Sequence, residues 1–274
     1  MDSDNLIKCN CGAYEYKTLK KGIYNRLGVL NYHFEIWKCK KCDLMRTFPI
    51  PPNNPNFKST LDIKGIKEDN QAVDSWSKMI AYEISKRCPP CGRVLDIGCY
   101  TGSLVWELQK LGFQAIGCDI DPAAVKKGIQ LGRNIKLGIV SEHKFEDSFF
   151  DAVVCNAVLE HILELSSTIQ EVGRILKKNG LFFIYVPYCK GLIPKIMGNN
   201  WMSWVPQQHV WHFDKKTLQQ IVLAKGNFEV ISLESKGMIE PPSKGIKGLA
   251  KKIIGRTAGF LNFGDGIEAI FIKK

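Results

Sequence analysis

Val94-Leu95-Asp96-Ile97-Gly98-Cys99-Tyr100-Thr101-Gly102 is a short apolar run carrying one carboxylate, followed by a glycine-bearing turn. Directly after it, Ser103 to Leu111 places apolar residues at helical spacing and stops at Gly112. The pattern predicts strand, tight loop, helix. Gly98 and Gly102 allow a ligand to approach the backbone, and the helix N-terminus offers unpaired N–H groups. Phe113 to Ile120 reads as a second strand with Asp119 near its end. That places an acid roughly 20 residues after the glycine loop, the separation at which a carboxylate meets ribose hydroxyls in nucleotide-binding βαβ units. The loop lacks the full G-x-G-x-x-G pattern, which argues against a dinucleotide.

These residues resemble the first motif of the class I S-adenosylmethionine (SAM) methyltransferases, an acid followed by alternating glycines, matched by Asp96, Gly98 and Gly102. The resemblance continues through Phe150 to Ile162, similar to the fourth-strand motif, and through Leu176 to Pro187, similar to the fifth. It implies an α/β fold: a Rossmann-like, seven-stranded sheet with helices on both faces and the seventh strand inserted antiparallel. It also implies that SAM is held by Asp96, Gly98, Cys99, Tyr100, Gly102, Asp119, Ile120, Val140, Asn156 and Ala157. The sequence departs from the family at two places. Tyr100 replaces the middle glycine of the first motif, and the acid often found after strand three has no match around Ile139, with Ser141 and Glu142 just beyond.

Composition sets the outer limits. The chain has 274 residues, enough for one large domain and a small one, and its formal charge of +11 favours anionic partners or a lysine-rich solvated surface. No apolar run is long enough to span a bilayer, and Met1-Asp2-Ser3-Asp4 has no apolar core, so a cytoplasmic location is expected. The ten cysteines are then read as thiols or metal ligands rather than disulfides.

Residues 1–55 read as a small β-rich unit ending in a proline-rich linker from Phe48 to Pro55. Cys9 and Cys11 precede Gly12, and Cys39 and Cys42 follow the strand-like run Leu30 to Trp37. Two such pairs around a β-rich loop suggest a zinc ribbon, since four soft thiolates suit tetrahedral Zn²⁺. The first pair is C-x-C rather than C-x-x-C, and Lys8 stands where the missing cysteine would be. Cys88 and Cys91 read as a turn with two thiols, with a redox pair or alternative ligand pair as the other options.

Residues 56–90 are expected to form a helical cap. Within them Gln71 to Arg87 is the helix, and Trp76 is read as core. Residues 91–274 are the expected catalytic domain. Asp121 caps a helix starting at Pro122, Ile135 to Val140 is strand three, and Asp151 to Cys155 is strand four. A helix opening at Ser166 or Ser167 is expected to run to Lys177-Lys178, and Asp214 to cap a helix ending at Gly226. Phe228 to Leu233 and Ile267 to Ile272 complete the sheet.

Two insertions stand out. Residues 188–210, with Trp201, Trp204 and His209, follow strand five, where open α/β sheets bind substrate, and read as a lid. This block resembles methyltransferases of cell-surface glycan and lipid pathways in the ubiquinone-methylase-like group. Residues 243–259 hold five basic residues and a row of aliphatics, the pattern of an amphipathic helix at a membrane surface or of a helix packed on its own domain.

The reaction that the resemblance implies is methyl transfer to a nucleophile, with His161 and His209 as candidate bases because imidazole accepts a proton near neutral pH. Asn156-Ala157-Val158-Leu159 lacks the Asn/Asp-Pro-Pro-aromatic block of enzymes acting on base amines. The expected acceptor is a small or lipid-linked metabolite, first a sugar or glycan hydroxyl. An rRNA methyltransferase with a ribbon that binds nucleic acid, and a SAM-binding protein without catalysis, are the alternatives.

Overall fold

The computed structural model describes residues 8–24, 32–49, 71–201, 203–237 and 264–274. The expected helix at 243–259 and most of the linker lie outside the described residues. Among those described, no helix is long and apolar enough to cross a membrane.

Among the described residues, seventeen strands and α-helices follow one another. A small unit comes first, with β1 (Tyr16–Tyr24), β2 (Tyr32–Cys39) and β3 (Met45–Phe48). Helix α1 (Gln71–Ser85) leads into β4 (Arg93–Ile97), α2 (Ser103–Lys110), β5 (Gln114–Asp119), α3 (Pro122–Gln130) and β6 (Ile135–Leu137). Next come β7 (Phe150–Asn156), α4 (Leu165–Ile175) and β8 (Leu176–Pro187). The chain closes with α5 (Leu192–Met197), β9 (Trp211–His212), α6 (Lys215–Lys225), β10 (Phe228–Lys236) and β11 (Gly266–Lys273).

The large sheet has seven strands in the order β10-β11-β8-β7-β4-β5-β6. Strands β4 to β8 pair in parallel, and β11 is antiparallel to both β8 and β10. Alternation along the strands separates two cores. Leu95, Val153, Cys155, Phe182 and Ile184 pack with Ile169 and Val172 of α4 and Leu218 and Val222 of α6. Val94, Ala152, Val154, Leu181 and Phe183 pack with Ile80 and Ile84 of α1 and Leu104 and Leu108 of α2. A strand buried on both faces must be apolar throughout, which is why β7 reads Ala-Val-Val-Cys without alternation.

Several boundaries move. Helix α4 ends at Ile175, not at Lys177-Lys178, which lie in an extended bulge at the start of β8. Phe150 pairs with Leu176 and Ala152 with Leu181, so the four intervening residues loop out, and Asn179 takes φ 63°. Strand three stops at Leu137, because Val140–His143 turns into a 3₁₀ helix held by Glu142, whose carboxylate accepts from the Ile139 N–H at 2.9 Å. Asp121 and Asp214 cap α3 and α6 through their side chains.

The small unit does not close its own sheet. Its strand order is β1-β2-β3-β9, and β9 is Trp211–His212, from beyond strand β8. Met45 pairs with His212 and Arg46 with Trp211. Val205 of the segment after β8 sits in the same apolar cluster as Phe34, Ile36 and Met45. The later part of the expected lid, Trp201 and residues 203–210, is therefore packed as a wall, in which Trp201 is 2% exposed and stands edge-on to Trp204, while residues 195–199 before it are exposed.

Candidate active site

The glycine loop joins β4 to α2 beside the end of β5. Gly98 and Gly102 have φ 71° and 81°, a region open to glycine and costly for other residues. Their missing side chains are explained by protein neighbours. A Cβ on Gly98 would meet Val158, and one on Gly102 would lie 2.8 Å from Ile135 Cγ2. Tyr100 adopts φ 52°, the conformation in which the related motif has glycine. Its N–H donates to Asp119 Oδ2 at 2.7 Å, and the Asp121 N–H donates to Oδ1 at 2.8 Å. Asp119 is thus fixed at the strand end by a backbone donor on each oxygen. Arg133 ties the far side of the loop, donating to Thr101 O at 2.9 Å, Thr101 Oγ1 at 3.1 Å and Ser103 Oγ at 3.3 Å.

Asp96 is buried under this loop, and burial followed by the charge of Asp119 pushes its carboxyl up to about 8. Cys99 is buried against Gly117, while Ile120 is exposed at the rim. The Val140 side chain is buried in the core, leaving its backbone for contact.

Strand β7 ends beside the loop, since Ile97 pairs with Cys155. Asn156 and Ala157 follow, and Ala157 is held at φ 55° by a bond from its N–H to Tyr185 O at 2.8 Å. Trp76 donates from Nε1 to Asn156 Oδ1 at 3.1 Å and stands edge-on to Tyr185. Trp76 therefore orients a site residue, a role that helical periodicity in Gln71 to Arg87 could not reveal.

Beyond Val158 the chain turns through Glu160 and His161 and meets His209. The two imidazoles lie 4.7 Å apart, edge to face. His161 Nδ1 is 3.1 Å from Gln208 O, and His209 Nδ1 is 2.9 Å from Ser203 O. A carbonyl only accepts, so each Nδ1 carries the proton and each Nε2 has the lone pair. Burial, then the neighbouring His161 and His212, hold His209 well below the ordinary histidine range. His161 is open to solvent on one side, and packing on the other lowers it too. Glu160 joins them. Its carboxyl is 1% exposed, burial pushes it up to about 8, and Oε2 has no hydrogen-bond partner among the described residues. One ligand atom from each of the three groups lies within 4.8 Å of the others. Sequence reasoning selected both histidines but missed Glu160, although it adjoins His161.

The four cysteines of the small unit converge. Cys9, Cys11, Cys39 and Cys42 place their sulfurs within 4.8 Å of one another, with Cys9–Cys42 and Cys11–Cys39 at 3.6 Å. A tetrahedral Zn²⁺ with bonds of about 2.3 Å separates its sulfurs by roughly 3.8 Å, so the set fits. Both turns are built alike despite unequal spacing. The Gly12 N–H donates to Cys9 O at 2.8 Å with Gly12 at φ 87°, and the Asp43 N–H donates to Cys39 O at 3.1 Å with Asp43 at φ 67°. C-x-C-Gly is thus a turn one residue shorter than C-x-x-C-Asp. The thiol of Cys42 draws Cys9 down to about 5, toward the thiolate that a metal needs. Cys88 is buried and Cys91 exposed, away from this set.

Comparison with known proteins adds the following. Residues 70–233 match the sequence profile of a family described as "Methyltransferase domain". Among curated relatives, a ubiquinone biosynthesis O-methyltransferase of Pelagibacter ubique is 28% identical over 148 residues, 49% of this chain and 60% of that one. The mitochondrial ubiquinone biosynthesis O-methyltransferase of Homo sapiens is 30% identical over 153 residues, 49% of this chain and 41% of that one. The chain spans about half the length of the curated relatives it matches. A SAM-dependent methyltransferase structure from Archaeoglobus fulgidus superposes with TM-score 0.55 at 22% identity, covering 73% of this chain and 94% of the other. A Pyrococcus horikoshii protein gives 0.56 at 18%, covering 75% and 93%.

Proposed function

The chain belongs to the methyltransferase-domain family of class I SAM-dependent enzymes, and from that premise we propose that it methylates a hydroxyl on a small or lipid-linked acceptor, first a sugar or glycan hydroxyl. The observation that carries the reading is the pair of imidazoles, each with Nδ1 bound to a carbonyl and the lone pair on Nε2, beside the end of β7. The names of the curated relatives support oxygen as the methylated atom.

SAM supplies an electrophilic methyl group on a sulfonium. In this reading the loop from Gly98 to Gly102 and Asp96 hold the methionine portion, Asp119 binds the ribose, and Ile120 and Val140 flank the adenine. Asn156 and Ala157 border the methyl site. His209 takes the acceptor's hydroxyl proton at Nε2, with His161 and the buried Glu160 carboxyl beside it. In-line transfer needs the two reactants oriented, a role proposed for the packed segment of residues 203–210. Cys9, Cys11, Cys39 and Cys42 are proposed to hold one structural Zn²⁺ in a ribbon-like unit. Residues 1–55, 56–90 and 91–274 are the proposed ribbon-and-linker, cap and catalytic divisions.

The test is methyl transfer from labelled SAM into a host extract, separated into RNA, lipid-linked and small-molecule pools. Label in the lipid-linked or sugar pool supports the reading. Label in RNA, with binding that weakens steeply as salt rises, replaces it with an RNA enzyme. Absence of SAM binding at millimolar concentration removes the cofactor.

A further inference from the structure

We infer that the four-cysteine unit is the device that positions His209, and that Thr47 is the residue through which it acts. This rests on the reading of His209 as a base. The clamp itself is visible without it. Thr47 is 0% exposed and lies in β3, five residues after Cys42. Its N–H donates to Val210 O at 2.9 Å, and its Oγ1 donates to His209 O at 2.7 Å. The same oxygen is 2.9 Å from His212 Nε2. With its hydrogen committed to a carbonyl, Oγ1 accepts there, and His212 is fixed with its proton on Nε2.

The other side of the segment is held equally. Glu160 O accepts from the N–H groups of Val210 at 2.7 Å and Trp211 at 3.0 Å. Trp211 Nε1 donates to Ile162 O at 2.7 Å, and the Arg46 guanidinium sits over the Trp211 ring. Residues 209–212 are therefore gripped between β3 of the cysteine unit and the turn that carries His161. A shift of β3 moves one imidazole relative to the other.

The start of β3 is set by the second cysteine turn, where the Cys39 N–H donates to Leu44 O at 2.9 Å. The unit's own apolar cluster is small, comprising Tyr24, Phe34, Ile36 and Met45, and one further buried member, Val205, belongs to the wall itself. The second cysteine turn itself rests on the large core through Cys39 and Leu44, and Asp43 within it pairs with Lys38 and Lys216, so the sulfur centre and the core together set the register of β3. The glycine loop, in contrast, is tied by Cys118 O, Asp119 and Arg133, none of them in the small unit. Thr47 thus links the cysteine unit to the base, whereas these ties of the glycine loop come from outside that unit.

The experiment compares full-length Thr47→Val and Thr47→Ser with the parent. Four quantities are measured: bound zinc, SAM affinity by calorimetry, ¹⁵N shifts of the five histidine rings, and label transferred from SAM into extract. Thr47→Val is expected to keep its zinc and to bind SAM within twofold of the parent. Its His209 and His212 ring signals should shift, and transfer should fall tenfold or more. Thr47→Ser, which restores the hydroxyl, should return transfer to within threefold. Zinc removal from the parent with a chelator should shift the same two ring signals and leave SAM affinity in place. Unmoved ring signals in Thr47→Val, or parallel loss of SAM affinity, would overturn the inference. If the rings shift while His209→Ala still transfers label normally, the clamp stands and the assignment of His209 as base fails.

Discussion

Replacing Gly98 with alanine separates two explanations of the glycine loop. If Gly98 exists to let a ligand reach the backbone, an added methyl should weaken SAM binding and leave the apo protein stable. The packing predicts the reverse. At φ 71° an L-residue costs about 1–2 kcal/mol. The new Cβ would also lie 3.0 Å from Val158 Cγ1 and closer still to Cγ2, an overpacking that costs about 1–3 kcal/mol. The sum is about 2–5 kcal/mol, read as a lower urea midpoint at unchanged slope. Val158→Ala removes the obstructing methyl groups, so in Gly98→Ala/Val158→Ala the overpacking part vanishes and the φ part remains. The double-mutant cycle should show a favourable coupling of about 1–3 kcal/mol. Additivity within about 0.5 kcal/mol would refute the reasoning, as would a Gly98→Ala protein of parental stability that fails to bind SAM. Because Val158 leads into Glu160 and His161, the single variant should also transfer methyl groups more slowly than its loss of stability explains.

Three further predictions follow from the charged and aromatic groups of the site. His209→Ala should reduce transfer at least a hundredfold with SAM affinity within twofold, measured by label transfer and calorimetry. Because His209 is held well below its ordinary value, the parent's rate should show no acid limb at or above pH 6.5, and a midpoint there would remove His209 as base. Asp96 binds a proton up to about pH 8 in the free protein, so a cationic ligand should displace it. SAM affinity should then rise with pH toward about 8, with proton release detected by calorimetry in buffers of different ionisation enthalpy, and Asp96→Asn should abolish both. Trp76→Phe keeps the ring against Tyr185 but removes the donor to Asn156, and transfer should fall several-fold while stability drops by about 1 kcal/mol. Unchanged transfer would make Trp76 a packing residue alone.

The pH dependence of stability has two opposed sources. His212 is pushed down to about 3 by burial, so the unfolded chain binds its proton more readily. Its contribution is complete above the ordinary histidine pKa near 6.5 and is lost as pH falls toward 3. Asp96 and Glu160 are raised, so they favour the folded state in their protonated forms, and that contribution disappears as pH rises from about 4 to 8. The windows overlap between about pH 4 and 6.5, where two acids lose more than one histidine gains, so on these three groups the stability of the apo protein should be greatest near pH 4 and fall toward 8, and SAM should soften that fall by relieving Asp96.

The central layers were readable because their signals are local. Val94 to Ile97 followed by Gly98 and Gly102 defines a strand and turn without reference to the rest of the chain, and the same holds for Asp121 before Pro122. The boundaries that moved were set by partners distant in sequence. Lys177 and Lys178 look like a helix end beside Gly180, yet pairing of Leu176 with Phe150 draws the segment into the sheet. Glu160, Trp76 and Thr47 were missed for the same reason. Each has an unremarkable local pattern: an acid in a turn, an aromatic on a helix, a threonine in a strand. Each gains its role from a partner 49 to 162 residues away, as in the bonds Trp76–Asn156 and Thr47–His209 and the meeting of Glu160 with His209.

That difference has a mechanical consequence. In the proposed reading the cofactor seat is assembled from strands adjacent in the sheet, β7, β4 and β5, and stays intact as long as the sheet does. The acceptor side is assembled from three separated pieces, namely the turn after β7, the wall after β8, and β3 of the cysteine unit. Loss of register in any one piece displaces an imidazole by more than a hydrogen bond tolerates, without opening the sheet. Variation in β3 and in the wall should therefore alter turnover and acceptor choice first, and SAM affinity last. A set of substitutions at Arg46, Thr47 and Val205 that lowered SAM affinity as much as transfer would show that the two halves of the site are not mechanically separate.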